Sequence, residues 1–249
     1  MPKIIPQIKQ KKYLIPAILC FVVWELAVVY LMYNVAFSLF SYICILSSCL
    51  FCVVVSDGSR SWLFTQLGLL GTVGADFFLV LIPDQRRVPG MIFFCAAQLA
   101  YFARIYSEDH HPLRKRVHLI LRISAAAIVL AVTPIVLGSR VDAVAMLSMF
   151  YYANLLCNVL FSFLNFRQSW LFALALLAFI LSDTLLGFQS LSDYFLIPRG
   201  SFIYYVLFFG RRFFYPLYVI SQILIPISVA VRGLNKIQSK KTDDSGMCS

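Results

Sequence analysis

Apolar residues in this chain gather into long runs, and polar residues are pushed into the gaps between them. Roughly 20 apolar residues at a 1.5 Å rise cross a ~30 Å hydrocarbon slab. That ruler finds eight runs, at residues 14–33, 36–55, 62–82, 90–106, 117–137, 143–164, 170–188 and 213–231. A ninth, at 201–209, is too short to cross and is bracketed by Pro198, Arg199 and Gly200 before it and Arg211 and Arg212 after it. It predicts an interfacial or re-entrant stretch, or an extra turn or two on the last helix. The pattern as a whole predicts an all-α polytopic integral membrane protein, a bundle of about eight transmembrane helices. Its parts are a basic N-terminal segment at 1–13, the membrane domain at 14–231 and a polar basic tail at 232–249. No internal repeat and no domain-separating linker stands out.

Composition agrees and excludes the other classes. With 61% hydrophobic and 13% charged residues and a mean hydropathy of +0.85, the chain is far from the balance of a soluble domain and equally far from a disordered one. The net charge of +10 invites a nucleic-acid reading, but nearly all of the 21 Lys and Arg residues sit between apolar runs rather than along a groove or stripe. Their placement follows the positive-inside rule. With both termini in the cytoplasm, 15 of the 21 fall on that side, Arg104, Arg114, Arg122 and Arg232 among them, and Arg86, Arg87, Arg140, Arg199, Arg211 and Arg212 fall opposite. For a bacterial chain the membrane would be the plasma membrane. The basic N-terminus leads into an apolar run longer than the h-region of a cleaved signal, which predicts a retained first helix.

The seven cysteines lie mostly inside apolar runs as small hydrophobes. Cys49 and Cys52 have metal or redox spacing but no second pair, so they predict packing. His110, His111 and His118 lie in or beside one basic loop, which gives no buried histidine metal site and no expected cofactor.

Polar groups inside the runs carry the chemistry. Among eleven acidic residues only Glu25, Asp76 and Asp183 fall within spans, and the others, Glu108 and Asp109 included, predict solvated loop or tail charges. An acid at such depth costs at least about 2.5 kcal/mol on insertion scales and needs a partner, a wet cavity or a proton. Helical spacing puts Thr72 below Asp76, Gln98 below Tyr101, Tyr151 and Asn154 beside Asn158, and Tyr218 beside Gln222. Counted from the span ends, Asp76, Asp183, Gln98, Gln222 and Asn154 come to roughly 8–16 Å below one face. They predict a single polar layer, which Glu25 either joins or leaves for a partner elsewhere. Gly68, Gly71 and Gly74 predict a smooth strip for close helix approach.

These residues resemble a known family. Gly74-Ala75-Asp76-Phe77-Phe78-Leu79, then Gly90-Met91, Phe94, Gln98 and Tyr101, are similar to the third and fourth helices of the YhhN-like lysoplasmalogenases. Ser182-Asp183 within LAFILSDTLL and the closing Tyr218-Val-Ile-Ser-Gln222 resemble later parts of the same pattern. The chain departs from it at Ala75, where glycine is usual, and at Gln98, where histidine is usual. Glutamine does not titrate near neutrality, so that position orients an oxygen rather than shuttling a proton.

The resemblance implies hydrolysis of the vinyl ether bond of a lysoplasmalogen, giving a fatty aldehyde and a glycerophospho-alcohol. An enol ether is cleaved by protonating its β-carbon, after which water captures the oxocarbenium ion. This chemistry requires one acid and one anion, the roles expected of Asp76 and Asp183. Gln98, Tyr101, Asn154, Asn158, Ser182, Tyr218 and Gln222 are the expected substrate-binding set, with a lysophospholipid and membrane lipid as partners. Arg86, Arg87, Arg211 and Arg212 are candidates for the phosphate, or else ordinary charges at a lipid surface. The alternative is a proton-coupled transporter or lipid-binding membrane protein without turnover. Against it, the sequence shows no pair of broken helices.

Overall fold

The computed structural model describes residues 7–82, 87–191, 198 and 200–246. They form eight long helices: α1 (Gln7–Asn34), α2 (Phe37–Val54), α3 (Arg60–Asp76), α4 (Arg87–Glu108), α5 (Pro112–Leu137), α6 (Ala143–Leu164), α7 (Phe166–Leu191) and α8 (Phe202–Gly246). No strand occurs among the described residues. All eight are long and apolar enough to cross a membrane, as the runs predicted. Asp84, Arg86, Asp193, Arg199 and Cys248 lie outside the described residues.

Local chemistry sets several boundaries. The Ser59 side chain accepts from Trp62 N at 3.1 Å and opens α3, and Asp142 accepts from Ala145 N at 2.7 Å and opens α6. Pro112 starts α5 at the position where its missing N–H is not needed. Beyond Asp76, α3 widens into a π-helical turn, Phe77–Leu81, closed by Ile82 N donating to Phe77 O. Such turns shift the helix face locally. The run at 201–209 joins α8 as added turns at its start, and α8 continues unbroken through Pro216 and Pro226.

Helix neighbours define a closed ring. α2 packs on α3, α3 on α4, α4 on α6, α6 on α7, α7 on α8, and α8 returns to α2. α1 lies outside against α2 and α8, and α5 lies outside against α6. Accordingly the α1 and α5 spans are mostly exposed to the surroundings, while the spans of the ring are far more enclosed. The Phe21 and Phe51 rings stack at 4.1 Å to fasten α1 to α2. Cys49 and Cys52 are buried and unbridged, and Cys49 Sγ accepts from Gln66 Nε2 at 3.2 Å, consistent with packing.

The glycine strip is the seam between α3 and α4. A Cβ on Gly68 would stand 2.2 Å from Tyr101 Cε1, one on Gly71 would stand 3.1 Å from Phe93 O, and one on Gly74 would stand 2.8 Å from Phe93 Cδ1. Tyr101 is fully buried and wedged edge-on against Phe172, so its ring has no room to retreat. Gly68→Ala is therefore expected to destabilise the protein by about 1–3 kcal/mol through overpacking. Gly187→Ala, on the exposed face of α7 with nothing within 4 Å of its Cβ, is expected to be neutral or slightly stabilising. Thermal unfolding of both variants in detergent tests the contrast.

Candidate active site

Asp76 is the last residue of α3, and Asp183 lies in α7 one turn above buried Phe179. Counting at 1.5 Å per residue, each is ~8 Å from the same end of its span. Each is held by a tyrosine from a third helix. Tyr218 of α8 donates its hydroxyl to Asp76 Oδ2 at 2.7 Å, and Tyr151 of α6 donates to Asp183 Oδ2 in a short hydrogen bond. Asp76 is almost wholly buried and Asp183 half-buried, and the two carboxyl groups are within electrostatic reach of one another. Tyr151, Phe94, Phe179 and Tyr218 form a continuous chain of ring contacts with centroids 5.3–6.3 Å apart, linking the two tyrosines that hold the aspartates.

The predicted single layer resolves into two. Below the aspartates, toward the end of the bundle that carries Arg104 and Arg114, Asn158 Nδ2 donates to Gln98 O and Gln98 Oε1, both at 2.9 Å. Asn154 and Asn158, of the expected substrate-binding set, turn their Oδ1 atoms to Arg122, at 2.6 and 2.5 Å. Gln98 Nε2 and Gln222 Oε1 are fully buried atoms without a hydrogen-bond partner. They are the amide groups of the set still free to hold a water or a substrate oxygen. Tyr101 fills the Gly68 hollow on the α3 side and Ser182 is buried beside Asp183. Glu25 does not join the layer: its carboxylate accepts from Cys44 Sγ at 2.7 Å and from the Ser47 hydroxyl, between α1 and α2.

A model of the YhhN family matches residues 33–229. The chain belongs to that family. No curated protein and no solved structure matches it. The family match embraces Asp76, Asp183 and both tyrosines, whereas Glu25 precedes it.

Among the expected phosphate contacts, Arg87 is exposed at the first turn of α4, Arg86 lies outside the described residues, and only the backbone is described at Arg211 and Arg212. The structure shows a basic residue the sequence reading had placed with the loop charges. Arg122 is 6% exposed inside α5, with its guanidinium stacked 4.2 Å over Phe102 and His118 Nε2 at 3.3 Å from Nη2. His118 is likewise no loop residue: it is 1% exposed and stacked on Phe161 at 3.6 Å. The signal was available, because Arg122 falls inside the apolar run 117–137, where a charge costs about 2.5–3.5 kcal/mol on insertion scales.

Glu108 and Asp109 also correct the expectation of solvated charges. Glu108 is enclosed by Arg104 at 3.3 Å, by Arg232 and by the Ser169 hydroxyl at 2.7 Å, and Arg104 in turn donates to Thr65 and Ser228 at 3.0 Å and stacks on Phe172. Asp109 pairs with Arg114 at 3.6 Å. This network joins α3, α4, α7 and α8 at the end of the bundle away from the aspartates. Glu108→Gln leaves two guanidinium groups without their counter-charge and is expected to lose about 3–5 kcal/mol. Ser169→Ala removes one hydrogen bond and is expected to lose about 1 kcal/mol. Thermal unfolding in the same detergent separates the two.

Proposed function

We propose that the protein is a membrane-embedded hydrolase of the lysoplasmalogenase type, cleaving the vinyl ether bond of a lysophospholipid with Asp76 and Asp183. The observation that supports this most is two carboxyl groups, on α3 and α7, each held by its own tyrosine, with the two tyrosines linked by ring contacts through Phe94 and Phe179. Family membership supports the same reading. The basic end of the bundle faces the cytoplasm in this proposal, and so do both termini.

The reaction divides between the two acids. One carboxyl carries the proton and gives it to the β-carbon of the vinyl ether, and the double-bond electrons form the new C–H bond. The resulting oxocarbenium ion lies beside the second carboxyl, which is charged and stabilises it. That carboxylate accepts a proton from water as the water oxygen bonds the α-carbon, giving a hemiacetal. The hemiacetal C–O bond to glycerol then breaks. The glycerol oxygen takes the proton held by the second carboxyl as the hemiacetal hydroxyl releases its own to the spent acid, and the aldehyde leaves. One water is consumed and the pair regains its starting charge. Each role needs a carboxyl fixed in an environment different from the other's, as in paired-carboxylate hydrolysis of glycosides. Tyr151 and Tyr218 supply that fixation, and the free amide atoms of Gln98 and Gln222 are suited to holding water and a glycerol oxygen.

Purified protein is expected to release fatty aldehyde from lysoplasmalogen and to leave the matched ester lysophospholipid intact. Asp76→Asn and Asp183→Asn are each expected to lower the rate by about 10²–10⁴-fold. Tyr218→Phe and Tyr151→Phe keep the rings and are expected to retain partial activity. Full activity in either asparagine variant removes that residue from the mechanism, and turnover of the ester alone redirects the assignment to an ordinary lysophospholipase.

A further inference from the structure

Arg122 is an uncompensated charge. Among the described residues no carboxylate pairs with it, and the acids nearest its end of the bundle, Glu108 and Asp109, are engaged by Arg104, Arg232 and Arg114. Its contacts are neutral: Asn154 Oδ1, Asn158 Oδ1, His118 Nε2 and the Phe102 ring. Dipoles of this kind orient a guanidinium without neutralising it. They also leave donors over. Of its five N–H groups, Nε–H is buried without a partner and one hydrogen on Nη1 is uncommitted. The arrangement is a preorganised donor site with the charge for an anion and no anion supplied by the protein.

Its position relative to the aspartates is informative. Tyr151, Asn154 and Asn158 share one face of α6, so the Arg122 contacts lie ~5–10 Å along that helix from the tyrosine that holds Asp183. This separation matches the span between the sn-1 vinyl ether and the sn-3 phosphate of a glycerophospholipid. Farther along the same helix pair, Arg114 of α5 donates to Asn165 at the end of α6 at 2.6 Å, beside a cleft of about 690 Å³ that Glu108 and His111 also line. Polar contacts thus recur along this part of the bundle, at Arg114 and Asn165, at Arg122 with Asn154 and Asn158, and at Tyr151 and Asp183.

We propose that Arg122 is the phosphate-binding residue of the substrate site, held in place by Asn154 and Asn158, and that it takes the anionic phosphodiester of a lysophospholipid whose reacting bond lies at Asp76 and Asp183. The identity of the lipid rests on the function proposed above, whereas the presence of an anion site does not. The site replaces the arginines of the opposite end as the phosphate contact.

Equilibrium binding to the full-length protein in detergent tests this with two probes of equal chain length, 1-O-alkylglycerophosphocholine and 1-O-alkylglycerol. Neither contains a vinyl ether, so binding is read apart from turnover. Arg122→Gln is expected to weaken the phospholipid about 10–100-fold and to leave the neutral glycerol ether within about twofold. Arg122→Lys keeps the charge without the planar fork and is expected to fall between, and it decides the matter where the glutamine variant does not elute as a monodisperse species. Equal loss for both probes, or no loss for either, overturns the proposal. Inorganic phosphate binding to the wild type as tightly as the phospholipid, with loss in Arg122→Gln, overturns the lipid assignment in favour of a free anion. Phosphate-selective binding with no aldehyde release would refute the hydrolase and retain the site, and aldehyde release with no such selectivity would do the reverse.

Discussion

Inside a hydrocarbon slab a polar side chain has no water to fall back on, so every such group must find its partner within the bundle. In this protein that constraint decides which helices meet. Asp76 takes the Tyr218 hydroxyl from 142 residues away, Arg104 reaches Ser228 across 124, and Asn158 reaches Gln98 across 60. Apolar packing brings the helices together without distinguishing one lipid-like face from another. The hydrogen bonds specify the neighbour and the register.

The two ends of the ring use the constraint differently. At the basic end, Glu108 is held by two arginines and a serine, and Arg104 is paired with Glu108 and donates to Thr65 and Ser228. Such a cluster, with its charges paired, fixes geometry. At the aspartate end each carboxyl has one tyrosine, and the buried amide atoms of Gln98 and Gln222 below remain unpaired. Incomplete satisfaction in a buried site is destabilising on its own. A bound water or ligand oxygen at Gln98 and Gln222 would relieve it.

The sequence carried the eight spans and the packing role of the glycine strip, because each follows from length or small side chains. Rotation about the helix axis is what it could not carry. Asn154 and Asn158 were recognisable as a shared polar face with Tyr151, but only the placement of α5 outside α6 shows that the asparagines turn to Arg122 while the tyrosine turns to Asp183. Glu108, Asp109 and His118 were misjudged for a related reason. They stand at or near helix ends, where sequence alone gives a solvated loop, and the structure folds neighbouring helix ends over them. Arg104 and Arg122 show the limit of the positive-inside rule, which counts a charge toward a side and does not ask whether it is exposed there.

The last helix closes both the ring and the site. α8 packs against α7 and returns to α2, and Tyr218 on it touches two other helices, with its hydroxyl on Asp76 of α3 and its ring 5.4 Å from Phe179 of α7, while Tyr215 one turn away, at 6.0 Å from it, packs against Phe37 of α2. Until that helix is seated, Asp76 lacks its only hydrogen-bond donor among the described residues and the ring chain from Tyr151 lacks its last member. The acid pair is thus assembled by ring closure rather than by any local motif, so short sequence patterns around Asp76 and Asp183 identify the residues but leave their common environment to the whole fold.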